Sequence, residues 1–443
     1  MQRALSLALD VLSLVELKDL SDRAALSRAS EQLRVTDKRV IARTGLLVRN
    51  VLRRKNFIDR VLELALVPGS LGDLNLGNKS FLRIFVFETA FNHRSVEAAV
   101  GLAEAGRSVL GWERLMPTEE ALGKILKTEI REVLSGLDEL ERISAQTFYP
   151  EWFVHYCIRL MGRRGALSLL SYSAPHPTYL RVNTFRGNEA EILEEISSSG
   201  VALEKVESIP YLYRAVHGRK KLTQLKAYSK SLFSFQGKTS CLATILGQPR
   251  PGHLVYEIGA GSVAKTVYLA QLMGKTGKII SMDSSAHRID RLKLEAERAG
   301  AENIETLLVN EENPPVLNEK ADLVLLSPEC SGTGLFWREP SLKWSVDYGK
   351  IEDAADSQWT MIDRSADYVK DGGSLVYWTN SITVEENELI IERFLKLHPE
   401  FSLLEAGPRL GMPALRGQRE CQRLYPHLHE ADGSFFAKLG LTD

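Results

Sequence analysis

Cys330 is a candidate nucleophile, because a thiolate adds to electron-poor carbon and a cysteine needs only its proton removed to become one. It lies in Ser327-Pro-Glu-Cys-Ser-Gly-Thr-Gly334, directly after the apolar run Ala321–Leu326, with Glu329 as a neighbouring acid. A second apolar run, Gly373-Ser-Leu-Val-Tyr-Trp-Thr379, leads into Asn380-Ser-Ile382. Asn380 has an amide nitrogen whose lone pair is delocalised, so it forms no covalent bond to a substrate. A third run, Leu254-Val-Tyr-Glu-Ile258, leads into Gly259-Ala-Gly261 and then Lys265-Thr266. Glycines there let a backbone approach a ligand closely. Asp283 ends the next apolar run, where a carboxylate can accept from ribose hydroxyls. Asn310 ends the one after, and Glu257 is the acid inside the first run.

These residues sit at run ends, so strands must position them. Between 236 and 443 strand and helix patterns alternate. Strands are expected at Leu254–Ile258, Lys278–Met282, Ile304–Val309, Asp322–Leu326, Ser374–Trp378, Phe401–Ala406 and Phe435–Leu439. Helices are expected to start near Lys265, Ala286, Ile351 and Val384. That order predicts a doubly wound, mostly parallel α/β sheet, which binds ligands outside the carboxyl ends of its strands.

Together the two polar loops resemble the active-site loops of RNA (cytosine-5) methyltransferases, the Sun/Nop/Fmu family. That family reads Asp-x-Pro-Cys-Ser-Gly in the first loop and Tyr-Ser-Thr-Cys-Ser in the second. Arg338–Trp344, Thr383–Asn387, Arg423–His427 and Asp432–Phe436 resemble further segments of it. The resemblance implies a Rossmann-like methyltransferase domain, S-adenosyl-L-methionine as cofactor, and rRNA or tRNA as partner. The cofactor residues Glu257, Gly259, Gly261, Asp283 and Asn310 resemble the S-adenosylmethionine site of Rossmann-like methyltransferases more generally. This family reads Asp-x-Cys-Ala-Ala-Pro-Gly-Gly-Lys-Thr, with Asp where Glu257 stands and Cys-Ala-Ala-Pro where Gly259–Ser262 stands, and has Asp where Asn310 stands. Lys265, kept from that motif, joins the catalytic set. The family resemblance also implies a thiolate from the second loop that adds to cytosine carbon 6, an Asp beside the ring, and a second Cys that helps release product. Here the thiolate position is Asn380 and the Asp position is Ser327; Cys330 matches the releasing cysteine. Val263-Ala264 replaces Gly-Gly at the start of the helix. Three readings follow: an RNA-binding member with impaired catalysis, an active methyltransferase using Cys330, and a non-catalytic subunit of an RNA-modifying or ribosome-related complex. The glycine turn either holds the cofactor or only packs helix on sheet.

Residues 1–140 read as all helix. Apolar residues recur at helical spacing in Leu5, Leu9, Leu12, Val15 and in Val40, Leu47, Val48, Val51. Phe81–His93 and Ser95–Ala103 resemble the centre of a NusB-like helical domain. Residues 141–235 read as a small α+β unit containing the alternating strand Thr178-Tyr-Leu-Arg-Val-Asn-Thr184, in a place where the family carries an RNA-contacting subdomain. Two basic stretches suit phosphate contact. One runs from Lys38 to Arg60 and includes Arg53 and Arg54; the other runs from Arg219 to Lys230 and includes Lys220 and Lys221, interleaved with Tyr211, Tyr213, Tyr228 and Phe233. Either is equally a solvated face or a loop with ordinary core aromatics.

The totals bound the rest. A net charge of −1 over 443 residues makes any nucleic-acid surface local. The four cysteines are far apart, which excludes a disulfide scaffold and a Cys-x-x-Cys metal site. A reducing, cytoplasmic setting is expected, with no membrane span, because Met1–Leu20 is interrupted by Arg3, Asp10, Glu16, Lys18 and Asp19.

Overall fold

The computed structural model describes residues 2–261, 263–310 and 315–441. The chain divides into two compact units. One is Met1–Tyr172 together with Phe336–Asp347; the other is Ser173–Leu335 together with Tyr348–Asp443.

The first unit is helical. Its main helices are Gln2–Lys18, Asp22–Gln32, Lys38–Arg53, Lys55–Leu66, Leu76–Val86, Val96–Leu110, Glu119–Lys127, Glu139–Thr147 and Glu151–Leu170. Side chains of Ser21, Asp37, Asn75, Ser95 and Asp138 accept from first-turn amides and so fix where several of them begin. Leu5, Leu9, Leu12, Val48 and Val51 are buried in one core, as their spacing predicts. Helical structure runs past residue 140, because Glu151–Leu170 buries Phe153, Val154, Tyr156 and Cys157. The Phe153 ring lies 4.7 Å from that of Phe336. The segment Phe336–Asp347 therefore completes this unit although it follows Leu335 of the other.

The second unit holds two sheets. The small one has β1 (Thr178–Val182), β2 (Ala202–Lys205), β3 (Leu212–His217) and β4 (Phe233–Phe235), all antiparallel in the order β2-β3-β1-β4. The large one has β5 (Leu254–Ile258), β6 (Lys278–Asp283), β7 (Ile304–Leu308), β8 (Ala321–Leu326), β9 (Val369–Thr379), β10 (Phe401–Leu403), β11 (Met412–Pro413), β12 (Gln422–Leu424) and β13 (Ser434–Leu441). Its order is β11-β12-β13-β9-β8-β5-β6-β7, with β10 beside β13. Strands β7, β6, β5, β8 and β9 are parallel; β13 turns antiparallel against β9. The order reverses between β5 and β8, which is where such sheets open a crevice. The helix expected near Val384 starts at Glu388, since Thr383–Asn387 is used to brace a loop. Strands β11 and β12 were not legible in the sequence, being two and three residues long.

Candidate active site

The loops after β5, β6, β8 and β9 meet at the reversal point. β5 turns through Gly259 (φ +73°) and Gly261 (φ +41°) into the helix Val263–Leu272. A Cβ on Gly259 would lie 2.3 Å from the Ser327 carbonyl oxygen, so glycine is required there for two loops to touch. Ser262, inside this turn, lies outside the described residues. A cleft of about 330 Å³ is lined by Gly259, Gly261, Lys265, Asp283, Ser327, Cys330 and Asn380. With Glu329, which lines it too, eight of the residues singled out in the sequence share one wall system. Asn310 lines an adjoining, mostly apolar cavity of about 350 Å³ that shares Ile258, Met282 and Val309 with the first.

Glu257 does not face the cleft. It is fully buried, and its Oε2 accepts from Thr266 Oγ1 at 2.6 Å and from Ser281 Oγ. Its Oε1 lies 3.4 Å from Lys265 Nζ without hydrogen-bond geometry. The Lys265 ammonium instead donates to Ser327 Oγ at 2.7 Å and to the Gly259 carbonyl at 3.2 Å. Burial lowers the Lys265 pKa, and Glu257 offsets this only in part. Val263 and Ala264 line a different groove, so they do not narrow this cleft.

Asp283 accepts from the Gly261 amide at 3.1 Å on Oδ2, and from the Ser285 amide and Arg288 Nε, each at 2.8 Å, on Oδ1. A carboxylate has about four lone-pair sites, so Oδ2 keeps capacity for one further donor. Arg288 also reaches Glu329 Oε1 at 3.0 Å, linking the mouth of the cleft to its floor.

Cys330 and Asn380 are brought together. The Asn380 and Gly332 amides donate to the Cys330 sulfur. The residue keeps some exposure, but its thiol is enclosed. Burial, with Glu386 and Glu329 adding to it, pushes the thiol pKa up to about 12 against those two amide bonds. Asn380 Oδ1 accepts from Ser434 Oγ at 3.0 Å, and its carbonyl accepts from the Gly334 amide at 3.0 Å.

Sequence reasoning missed the group that holds both loops. Glu386 is fully buried, and its carboxylate accepts five hydrogen bonds. Ser331 donates from its amide at 2.7 Å and from its hydroxyl at 2.5 Å. Ser381 Oγ donates at 2.5 Å, Thr383 Oγ1 at 2.7 Å and Gln358 Nε2 at 3.0 Å. The available signal was Ser381-x-Thr383 two residues before paired acids: short hydroxyls beside a carboxylate at a strand end. Arg423 adds a second brace, donating to the Ile382 carbonyl at 2.8 Å and pairing with buried Glu388.

The basic positions are placed differently. Arg54 lies over the rings of Phe87, Phe91 and Phe148 at 5.1 to 5.6 Å and donates to the Asn50 carbonyl. Arg53 is half-buried beside Asn50. Both serve the helical unit. Lys220 and Lys221 are exposed, on the turn Arg219–Gln224 of the other unit. Among the described residues no cluster suits a metal ion, and no helix is long and apolar enough to cross a membrane.

Comparison with known proteins adds sequence relatives to this geometry. Residues 243–440 match the family described as 16S rRNA methyltransferase RsmB/F. A probable ribosomal RNA small subunit methyltransferase B from Synechocystis is 26% identical over 421 residues, covering 89% of each chain. A tRNA (cytosine(72)-C(5))-methyltransferase from Pyrococcus horikoshii is 32% identical over 225 residues, covering 49% of this chain and 54% of that one. The crystal structure of PH0851 superposes with a TM-score of 0.83 at 25% identity, covering 99% of this chain and 98% of that one.

Proposed function

We propose, given that this chain belongs to the RNA cytosine-5 methyltransferase family, that it binds RNA and S-adenosyl-L-methionine but forms no covalent adduct with cytosine. The observation that carries this reading is Asn380. It directly follows β9, at the position that matches the family's nucleophile, and its amide oxygen accepts from Ser434. Cys330 does not substitute, because a thiol held near 12 is protonated at neutral pH. Ser327 supplies a hydroxyl to Lys265 where a charged acid would stand.

The cleft fits the cofactor. Asp283 has one acceptor site left for a ribose hydroxyl, and the apolar cavity at Asn310 suits an adenine ring. Gly261 leaves the backbone accessible beside them. The bound cofactor supplies an electrophilic methyl group; the chain's residues orient it and exclude water. The NusB-like segments Phe81–His93 and Ser95–Ala103 fall on the helices Leu76–Val86 and Val96–Leu110 and the π-helical turn Phe87–Phe91, where they pack the core of the helical unit. A chain that holds RNA and cofactor without turnover suits a non-catalytic subunit.

Calorimetric titration with S-adenosylmethionine is expected to show binding at micromolar to millimolar concentration, and no heat at millimolar would remove the cofactor from this reading. Incubation with RNA containing 5-fluorocytosine and cofactor is expected to leave no crosslink. A crosslink that disappears in Cys330→Ala would establish Cys330 as the nucleophile and the chain as an active enzyme.

A further inference from the structure

Arg181 is fully buried on β1, yet among the described residues none of its partners carries charge. Its Nε donates to Gln236 Oε1 at 2.7 Å and its Nη1 to Gln271 Oε1. Its Nη2 lies 3.4 Å from both Ser234 Oγ and the Ala264 carbonyl, and the guanidinium sits 4.9 Å from the Tyr268 ring centre. Cys241 and Tyr268 are close, but burial pushes both of their pKa values upward and keeps them neutral. Burying a cation without an anion is costly, so the surroundings of Arg181 call for negative charge.

A groove of about 480 Å³ lies against this position, between the free edge of β4 and the helices Val263–Leu272 and Ala286–Ala299. Arg181 lines it together with Ser234 and Ala264. Ser234 accepts from Arg181 and so keeps its own hydrogen to donate. Arg291 and Arg298 stand exposed on one wall, Arg298 paired with Glu295 at 3.0 Å, which leaves Arg291 as the cation for a ligand. On the other, Tyr228 and Phe235 are 37% and 36% exposed with ring centres 5.5 Å apart. Gly261 belongs both to this groove and to the cofactor cleft, so the two are adjacent. Cation, hydroxyl donor and exposed ring faces together match a single-stranded nucleotide, whose phosphate meets the arginines and whose base stacks on an aromatic.

We propose that this groove holds one unpaired RNA nucleotide near the target position, with its base on Tyr228 and Phe235 and its phosphate at Arg291 and Ser234 above Arg181. This rests on the RNA-binding reading and names a subsite for it.

The test is fluorescence anisotropy of a labelled single-stranded RNA of mixed sequence, about 12 nucleotides long, with the full chain at several salt concentrations. Phe235→Ala is expected to weaken Kd about tenfold with the salt slope unchanged. Arg291→Glu should weaken binding and lower the slope by about 1. Lys293→Glu, on the same helix but outside this groove, should leave Kd nearly as it is. Phe235→Trp should bind at least as tightly, with its fluorescence quenched by RNA, and keeps the test sound if the alanine variant folds poorly. Native affinity and slope in Arg291→Glu, with no quenching in Phe235→Trp, would overturn the subsite while leaving RNA binding intact. No binding by the native chain at low salt would overturn the RNA reading and the subsite together.

Discussion

At the scale of single residues, two side chains decide what this cleft can do. Cys330 has the right element but the wrong protonation state. Burial pushes its thiol to about 12, so its thiolate fraction at pH 8 is on the order of a thousandfold below that of a free cysteine. Iodoacetamide labelling at pH 8 is expected to be correspondingly slow and to rise steadily toward pH 12; fast labelling at pH 8 would reverse this. Lys265 is the second. Its folded pKa is lowered, so protonation on going down from the unfolded value near 10.4 costs stability rather than adding it. Glu257 makes that ammonium tolerable, and removing it alone strands a buried charge. Lys265→Ala is expected to cost about 3–5 kcal/mol in urea denaturation, and the double variant Lys265→Met, Glu257→Gln to recover most of it. Asn380→Cys with Ser327→Asp should restore turnover on cytosine-containing RNA with labelled cofactor, since neither position is blocked by Val263 or Ala264. Failure of that pair with RNA binding intact would place the lesion in the cofactor cavity.

At the scale of elements, the loops after β8 and β9 are tied together by one carboxylate, Glu386, carried by the second of them. Glu386 gathers donors from both, so Glu386→Ala leaves several buried hydroxyls and an amide without an acceptor. It should cost at least about 3 kcal/mol and Glu386→Gln less, since one oxygen remains; equal, small losses would show that the loops hold themselves. This element also shows the limit of reading a sequence. Strands β5, β6 and β8 were legible because apolar β-branched runs end in turn residues, and both faces of such strands are buried. The cleft residues were legible because they sit at those ends. Glu386 was not, since its role depends on hydroxyls from two loops that only the folded sheet brings together. Arg181 stood in the open in Leu-Arg-Val-Asn, but its lack of an anionic partner is a property of packing. The packing of Arg54 was hidden for a related reason: charge in a sequence gives no sign that a guanidinium will lie over three phenylalanine rings.

At the scale of the whole molecule, a near-neutral chain binds RNA only through local charge. Reversal of Lys220 and Lys221 is expected to lower the salt slope of RNA binding by about 2 and leave unfolding unchanged. Reversal of Arg54 should instead destabilise the helical unit, which thermal denaturation would register; an RNA defect with unaltered melting would return Arg54 to the RNA surface. The helical unit is also completed by a segment made long after the rest of it. Phe336–Asp347 belongs to it, with Phe336 against Phe153 and Trp344 donating its indole N–H to the Leu52 carbonyl at 2.6 Å. During synthesis its first 172 residues leave the ribosome long before the segment that finishes their core. At ~5–20 residues per second the wait is on the order of ten to thirty seconds. For that interval a helical surface meant for Phe336 and Trp344 is bare in the cell, which makes the nascent chain, rather than the finished protein, the form that most needs a chaperone.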